Sequence, residues 1–277
     1  MAVIDRPVSL GPFDAARALP LSDEARWNQT EADWAMMLRL GLGFGVEVDD
    51  RLVASAVALP YGIVGWISMV LVTASARRQG LATQLVELSA DALTRNGARP
   101  MLDATPAGQA VYRKMGFTPL RGLTRWQGEG GPREAPAAGI RRAHANDIDW
   151  IAALDRRAFG LDRRGILVNI LARPGAPVFV TERRDGFLLG RRGRNAVQLG
   201  PITAASADDA DALFNTALAD TAGPVLVDAF DDRTSITRTL KAAGFAPQRT
   251  FARMARGTEP LVGEEALTFA AAGPELG

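Results

Sequence analysis

The chain has 277 residues, 47% of them hydrophobic, which is enough for two ordinary domains, each with its own core. Its formal net charge is +1 with acids and bases interspersed, which excludes the one-sided basic stripe of a nucleic-acid binder. It has no cysteine, so disulfides, thiolate metal sites and an acyl-cysteine intermediate are excluded too. Apart from Lys114 and Lys241 every basic residue except His144 is arginine, which in an alanine-rich chain reads as base composition rather than as phosphate chemistry. The longest apolar stretch, Ile63 to Val72, is far too short to span a bilayer, and the first residues lack the layout of a signal peptide. A soluble, cytoplasmic protein without membrane or nucleic-acid partners is expected.

In chain order, Val8 to Ala18 mixes a short strand with the start of a helix. Trp27-Asn28-Gln29-Thr30-Glu31-Ala32-Asp33-Trp34 follows, with Thr30 and Asp33 forming a capping-box start for a helix through Met36, Met37 and Leu40. Trp34 on that helix reads as core. Gly41 to Val48 and Leu52 to Leu59 form a hairpin over Asp49-Asp50-Arg51, and Pro60-Tyr61-Gly62 turns the chain into the strand Ile63 to Val72. Beyond it Leu81, Leu85, Leu88 and Ala92 recur at helical spacing, so a helix runs from near Gly80 to Arg95 and stops at Asn96-Gly97. Between strand and helix lies Arg77-Arg78-Gln79-Gly80-Leu81-Ala82-Thr83. A helix start carries unpartnered N–H groups and the positive end of the dipole, Gly80 and Ala82 leave room for an anion to reach them, and Arg77 and Arg78 add donors. This order of parts suits a diphosphate. Pro100 to Ala104 reads as a strand, Ala107 to Met115 as a short helix and Phe117 to Arg125 as two further strands.

Gly128 to Pro136 is rich in glycine and proline and reads as a connector, which sets the expected domains at 1–127 and 138–277. The element order then repeats. Helices are expected over Ala145 to Phe159, capped by Asn146, and over Arg164 to Ala172. Val178 to Glu182 and Phe187 to Arg191 form a hairpin, and Ala196 to Leu199 is a third strand. A capped helix Ser206 to Ala219, a strand Val225 to Ala229 and a helix Thr234 to Ala243 complete the copy. Holding Gly116 over Gly244 and Leu85 over Leu213 sets Gly80 over Asp208, Arg77 over Ala205 and Tyr112 over Leu240. Asp208 and Asp209 would repel a diphosphate, so the second copy is expected to have lost the chemistry.

Arg77-Arg78-Gln79-Gly80-Leu81-Ala82, together with Leu102-Asp103-Ala104-Thr105-Pro106-Ala107-Gly108-Gln109-Ala110-Val111-Tyr112-Arg113-Lys114-Met115-Gly116-Phe117, resembles the GNAT superfamily of N-acetyltransferases. The resemblance covers most of the chain. It implies an α/β fold (α+β with a mixed sheet) made of two tandem GNAT-like domains, the second degenerate. It implies acetyl-CoA, or another short acyl-CoA, as donor, and direct acyl transfer to a primary amine of a small molecule or a protein amino group. In the family pattern the backbone of Val70, Leu71 and Val72 pairs with the pantetheine arm, and Arg77, Arg78, Gln79, Gly80, Leu81, Ala82 and Thr83 hold the diphosphate. A backbone N–H near Leu71 or Val72 polarises the thioester carbonyl, and Tyr112 meets the donor and protonates the leaving thiolate. Acceptor specificity falls in the region of Trp27 and Asn28, which are equally suited to structural roles. The general base is open: Asp103, expected at the mouth of the site, suits the ammonium, but an aspartate there also suits a turn. Pro106-Ala107-Gly108 stands where the family often has an Asn, and a side-chain contact to the donor is lost with it. His144 reads as structural, and no metal site is expected. The alternative reading is a CoA-binding sensor without turnover. Acceptor identity and oligomeric state are not written in the sequence.

Overall fold

The computed structural model describes residues 7–132, 138–257 and 263–277. Residues 133–137 of the expected connector lie outside the described residues. The chain forms two compact units. The first holds the residues up to Leu102, Ala110–Thr118 and Ala255–Gly257; the second holds Asp103–Gln109, Pro119–Met254 and the residues after Gly257.

The first unit opens with β1 (Val8–Leu10), α1 (Ala15–Glu24) and α2 (Glu31–Leu40). α2 starts as its sequence dictates: the Asp33 amide donates to Thr30 Oγ1 at 3.2 Å and the Asp33 carboxylate accepts from the Thr30 amide at 2.8 Å. Trp34 is fully buried, with its indole N–H donating to Ser22 Oγ at 3.0 Å. β2 (Leu42–Val48) and β3 (Arg51–Pro60) form the hairpin, with Asp49 and Asp50 at positive φ in its turn. β4 (Val64–Val72), α3 (Leu81–Arg95), β5 (Arg99–Ala104) and α4 (Pro106–Lys114) follow, and the strand order is β1-β2-β3-β4-β5. β4 and β5 pair in parallel, as the crossover through α3 requires. α3 lays Leu81 and Leu85 onto Val46, Ala54 and Ala56. Gly65 is a glycine because a Cβ there would come within 2.2 Å of Leu93.

β6 (Phe117–Gly130) begins in the first unit and continues into the second as one strand, where Phe117 to Arg125 was expected to form two. Its register with β11 (Gly223–Phe230) is unbroken from Leu123↔Phe230 to Gly130↔Gly223, which also draws Gly128 to Gly130 out of the expected connector and into the strand. The second unit repeats the first with β7 (Ile140–Arg142), α5 (Ile148–Phe159), α6 (Arg164–Leu171), β8 (Val178–Thr181), β9 (Gly186–Arg192), β10 (Val197–Ala204), α7 (Ala207–Ala219), β11, α8 (Thr234–Ala242) and β12 (Ala246–Arg256). A short β13 (Thr268–Ala270) is added. The order is β12-β6-β11-β13-β10-β9-β8-β7. Asn146 is not the cap of α5. Asp147 closes the box, accepting from the His144 amide at 2.9 Å while a bidentate pair with Arg141 holds it.

Candidate functional site

Two features of the first unit converge at the C-terminal end of β4. The first is a bulge. Ser55 pairs with Leu71 and Val57 with Ser68, so Met69 and Val70 face the single residue Ala56. Met69 takes up the extra length at φ 51, in the left-handed region, and the buried Ser55 hydroxyl donates to its carbonyl at 2.8 Å. The second is a splay. β4 pairs with β5 only through Val64↔Arg99, Gly65↔Pro100 and Trp66↔Met101, and beyond Trp66 the two strands part. Over Val70 to Val72, backbone groups directed away from β3 therefore face a slot rather than a strand. Leu71 is buried, and Val70 and Val72 are half-buried.

Eight residues, 73–80, lead from β4 to α3. Gly80 is the N-cap at φ 80 with no side-chain cap, and a Cβ built on it would meet nothing within 4 Å. The first-turn N–H groups of Leu81, Ala82 and Thr83 are thus left for an anion, and the helix dipole favours one there. Leu81 is buried against the core while Gln79 and Thr83 are exposed. Arg78, at φ 63, is exposed and makes no ion pair among the described residues. Arg77 is differently used. Its Nε donates to the Val72 carbonyl at 3.2 Å and its guanidinium lies 3.8 Å from Glu24, so it braces the end of β4. Glu24 also accepts from the Thr73 hydroxyl and from the Ala74 amide at 2.6 Å. These bonds, chiefly that from Thr73, hold its carboxyl below the usual range.

Tyr112 lies on α4 in the first unit, its ring meeting Phe117 edge to face with centroids 6.1 Å apart. Burial pushes its hydroxyl up to about 12, and among the described residues that hydroxyl has no hydrogen-bond partner. Trp27 is half-buried, whereas Asn28 and Gln29 are buried. The Gln29 side-chain oxygen has no partner among the described residues.

Asp103, expected at the mouth of the site, is found in a buried ion pair. It belongs to the second unit, where its carboxylate is buried and gripped in bidentate fashion by Arg253 of β12 at 3.0 Å for each bond. Burial pushes its carboxyl up, and the Arg253 charge opposes this. Ser55, Met69, Glu24 and Arg253 were all missed by sequence reasoning. Only Ser55, a polar residue inside an apolar strand, left any local signal. No group of three metal-ligating side chains forms among the described residues, and no helix there is long and apolar enough to cross a membrane.

In the second unit the counterpart of Gly80 is Ser206, the N-cap of α7, and not Asp208 as the ungapped alignment had it. Counted from Leu85 and Leu213, α7 begins two residues earlier than α3, and only Ala205 and Ser206 separate β10 from α7. Ser206 Oγ accepts from the Asp209 amide at 3.1 Å, and Arg183 pairs with the Asp209 carboxylate at 2.7 Å. Ser206 thus takes up one N–H of that helix start, and the Asp209 carboxylate sets negative charge beside it.

Known proteins share the sequence pattern and the fold. Residues 14–117 match the acetyltransferase (GNAT) family and residues 151–270 match an acetyltransferase (GNAT) domain. The uncharacterized N-acetyltransferase YitH of Bacillus subtilis (strain 168) is 25% identical over 256 residues, which span 88% of this chain and 89% of that protein. A Pyrococcus horikoshii protein named as an acetyltransferase superposes with a TM-score of 0.83 at 18% identity, over 98% of this chain and 95% of that one. A tandem GNAT protein from the clavulanic acid biosynthesis pathway superposes with a TM-score of 0.61 at 15% identity, over 92% of this chain and 99% of that one. With a GNAT match in each half and both halves built on the same element order, the chain belongs to the GNAT family and is an N-acetyltransferase of the tandem-domain type.

Proposed function

We propose that the protein transfers an acetyl group from acetyl-CoA directly to a primary amine, and that the first unit alone holds the donor. The observation that carries this is the pairing, in that unit, of a splayed β4 with an uncapped helix start under Gly80. A splayed strand offers amide hydrogen bonds to an extended pantetheine arm, and the helix start offers N–H groups and a dipole to a diphosphate. Both fit acetyl-CoA, which supplies an activated acyl group as a thioester. Arg78 adds charge at the diphosphate, while Arg77 and Glu24 fix the loop that presents it. Backbone N–H groups at the bulge of Met69 and Val70 and at Val72 stabilise charge developing on the acyl oxygen. Tyr112, which keeps its proton well above neutral pH, delivers that proton from Oη to the leaving sulfur.

The amine must arrive neutral, and an alkylammonium ordinarily holds its proton to about pH 10.4. Asp103 is engaged by Arg253 and takes no part in the proton transfer in this reading; water carries the ammonium proton away. Trp27 and Asn28 line the acceptor side, with the unpartnered Gln29 oxygen as a further acceptor for an ammonium N–H. The test is calorimetric titration with acetyl-CoA, then acetyl transfer to a panel of small amines and lysine peptides. One donor site per chain and turnover on at least one amine class are expected. Two equivalent sites would refute the confinement to one unit, and a donor-binding chain inert toward every amine would favour the sensor reading.

A further inference from the structure

The second unit builds the same cleft as the first and then fills it. Leu199 pairs with Gly190 and Ile202 with Leu188, so Gly200 and Pro201 face the single residue Leu189, the counterpart of the bulge at Met69 and Val70. β10 pairs in parallel with β11 only through Val197↔Val225 and Gln198↔Leu226 and then parts from it, as β4 parts from β5. In the gap lies β13, antiparallel to both neighbours: Ile202↔Ala270 and Thr203↔Thr268 on one side, Ala229↔Ala270 on the other.

We propose that this cleft is a peptide-binding groove whose ligand is the chain's own 268–277 segment, a peptide that pairs as a strand over Thr268–Ala270, turns back over Gly273 to Gly277 and carries one acidic anchor. The groove is shaped to its occupant. The Ala271 amide donates to the Asp228 carbonyl at 2.9 Å, and a Cβ on Gly200 would stand 2.1 Å from the Ala271 carbonyl oxygen, so the bulge glycine admits the peptide backbone. Arg191, buried, donates to the Ala272 carbonyl and to the Glu275 carboxylate. Arg163, also buried, donates to the Gly277 carbonyl while its other face is held by Asp155 at 2.9 Å. Phe269 fills a pocket in the main core of the unit. Main-chain pairing supplies affinity, and a side-chain pocket plus a charge-assisted bond supply selectivity, as in strand-addition recognition. The groove thus takes peptide where the first copy takes a donor arm, and this assignment stands apart from acyl transfer by the first unit.

The test uses the full-length protein with a protease recognition sequence in place of residues 258–262, nicked after folding. The 263–277 peptide is expected to stay bound through gel filtration. After displacement in mild denaturant, a synthetic copy should rebind, and a copy carrying Glu275→Gln should bind roughly 10–100-fold more weakly, the range for a lost charged hydrogen bond. Coenzyme A stoichiometry should be the same with and without peptide. Peptide that washes away and leaves the melting of the body unaltered would overturn the proposal, as would a second coenzyme A site in the stripped protein. Should stripping unfold the protein, hydrogen exchange on uncut chains decides. In Glu275→Gln and Gly200→Ala, amides of residues 269–272 should exchange at least about tenfold faster with those of β8 and β9 unchanged, and unchanged protection throughout would overturn the groove.

Discussion

Substituting Asp103→Asn separates a catalytic base from a structural anchor. In the fold the carboxylate makes two bonds of 3.0 Å with Arg253, and the two side chains are 0% and 5% exposed. Asparagine keeps the shape but not the charge, and so leaves a guanidinium buried without its counter-ion. Breaking a buried pair from one side costs about 3–5 kcal/mol. The Arg253 guanidinium also lies 5.0 Å from the Phe230 ring and 5.8 Å from that of Phe159, and these contacts offset part of the loss, which favours the lower end. For a unit of this size, 1 kcal/mol lowers the melting temperature by roughly 2–4 °C, so a drop of about 6–12 °C is expected. Turnover per folded molecule, measured well below the transition, should be close to wild type. Asp103→Leu combined with Arg253→Met should recover most of the stability, because an apolar pair of similar volume often replaces a buried ion pair at little cost. A normal melting temperature with a rate loss of about 10²–10⁴-fold would refute this reasoning and return Asp103 to the role of base.

Gly80→Asp should abolish acetyl-CoA binding in calorimetry by setting a carboxylate against the diphosphate. Gly80→Ala, which shares the strain of φ 80 but not the charge, should bind with a modest loss and destabilise by about 1 kcal/mol. Tyr112→Phe keeps the edge contact with Phe117, so donor affinity should hold while turnover falls by about 10²–10⁴-fold. Full activity in a well-folded variant would remove the hydroxyl from the mechanism. With the hydroxyl pushed up to about 12, wild-type rates should show no descending limb from this group up to about pH 10. Asp147 is held well below the usual carboxylate range, mainly by Arg141. Its stabilisation is therefore complete above the unfolded value of about 3.9 and is lost as pH falls below it, so Asp147→Asn should flatten the acid limb of a plot of melting temperature against pH.

What the sequence made legible was local. The Thr30–Asp33 box, the Asp49-Asp50 turn and the helix start at Gly80 depend on residues at most a few positions apart, and each formed where its spacing put it. What it hid was long-range or lacked side-chain identity. The Met69 bulge exists because a serine fourteen positions away binds its carbonyl, and no rule of periodicity marks it. Asp103 and Arg253 are 150 positions apart, so nothing near Asp103 in the sequence marked the buried ion pair it forms. β12 opens with a run of exposed polar residues after Ala246, and β13 is three residues long, so neither shows the alternation by which strands are recognised. Ser206 took the place assigned to Asp208 because α7, counted from Leu213, begins two residues earlier than α3 does from Leu85.

The two copies together indicate where the chemistry of this fold resides. Bulge, splay and crossover helix are present in both, so they follow from topology and survive extensive change in side chains. The difference lies in the link from strand to helix, eight residues in one copy and two in the other. A long link ending in a left-handed glycine leaves three helix N–H groups unsatisfied, which is tolerable only where solvent or a bound anion completes them. A short link ending in serine lets Ser206 cap the Asp209 amide and sets the Asp209 carboxylate at the helix start, where it would repel an anion, with Arg183 balancing the acid. Once the anion site is closed the splayed strands still expose buried backbone groups, and a buried unpaired amide or carbonyl costs about 1–3 kcal/mol. Pairing the gap with a further strand removes that penalty without any change in the strands themselves, so losing the donor and acquiring β13 are two sides of one structural requirement.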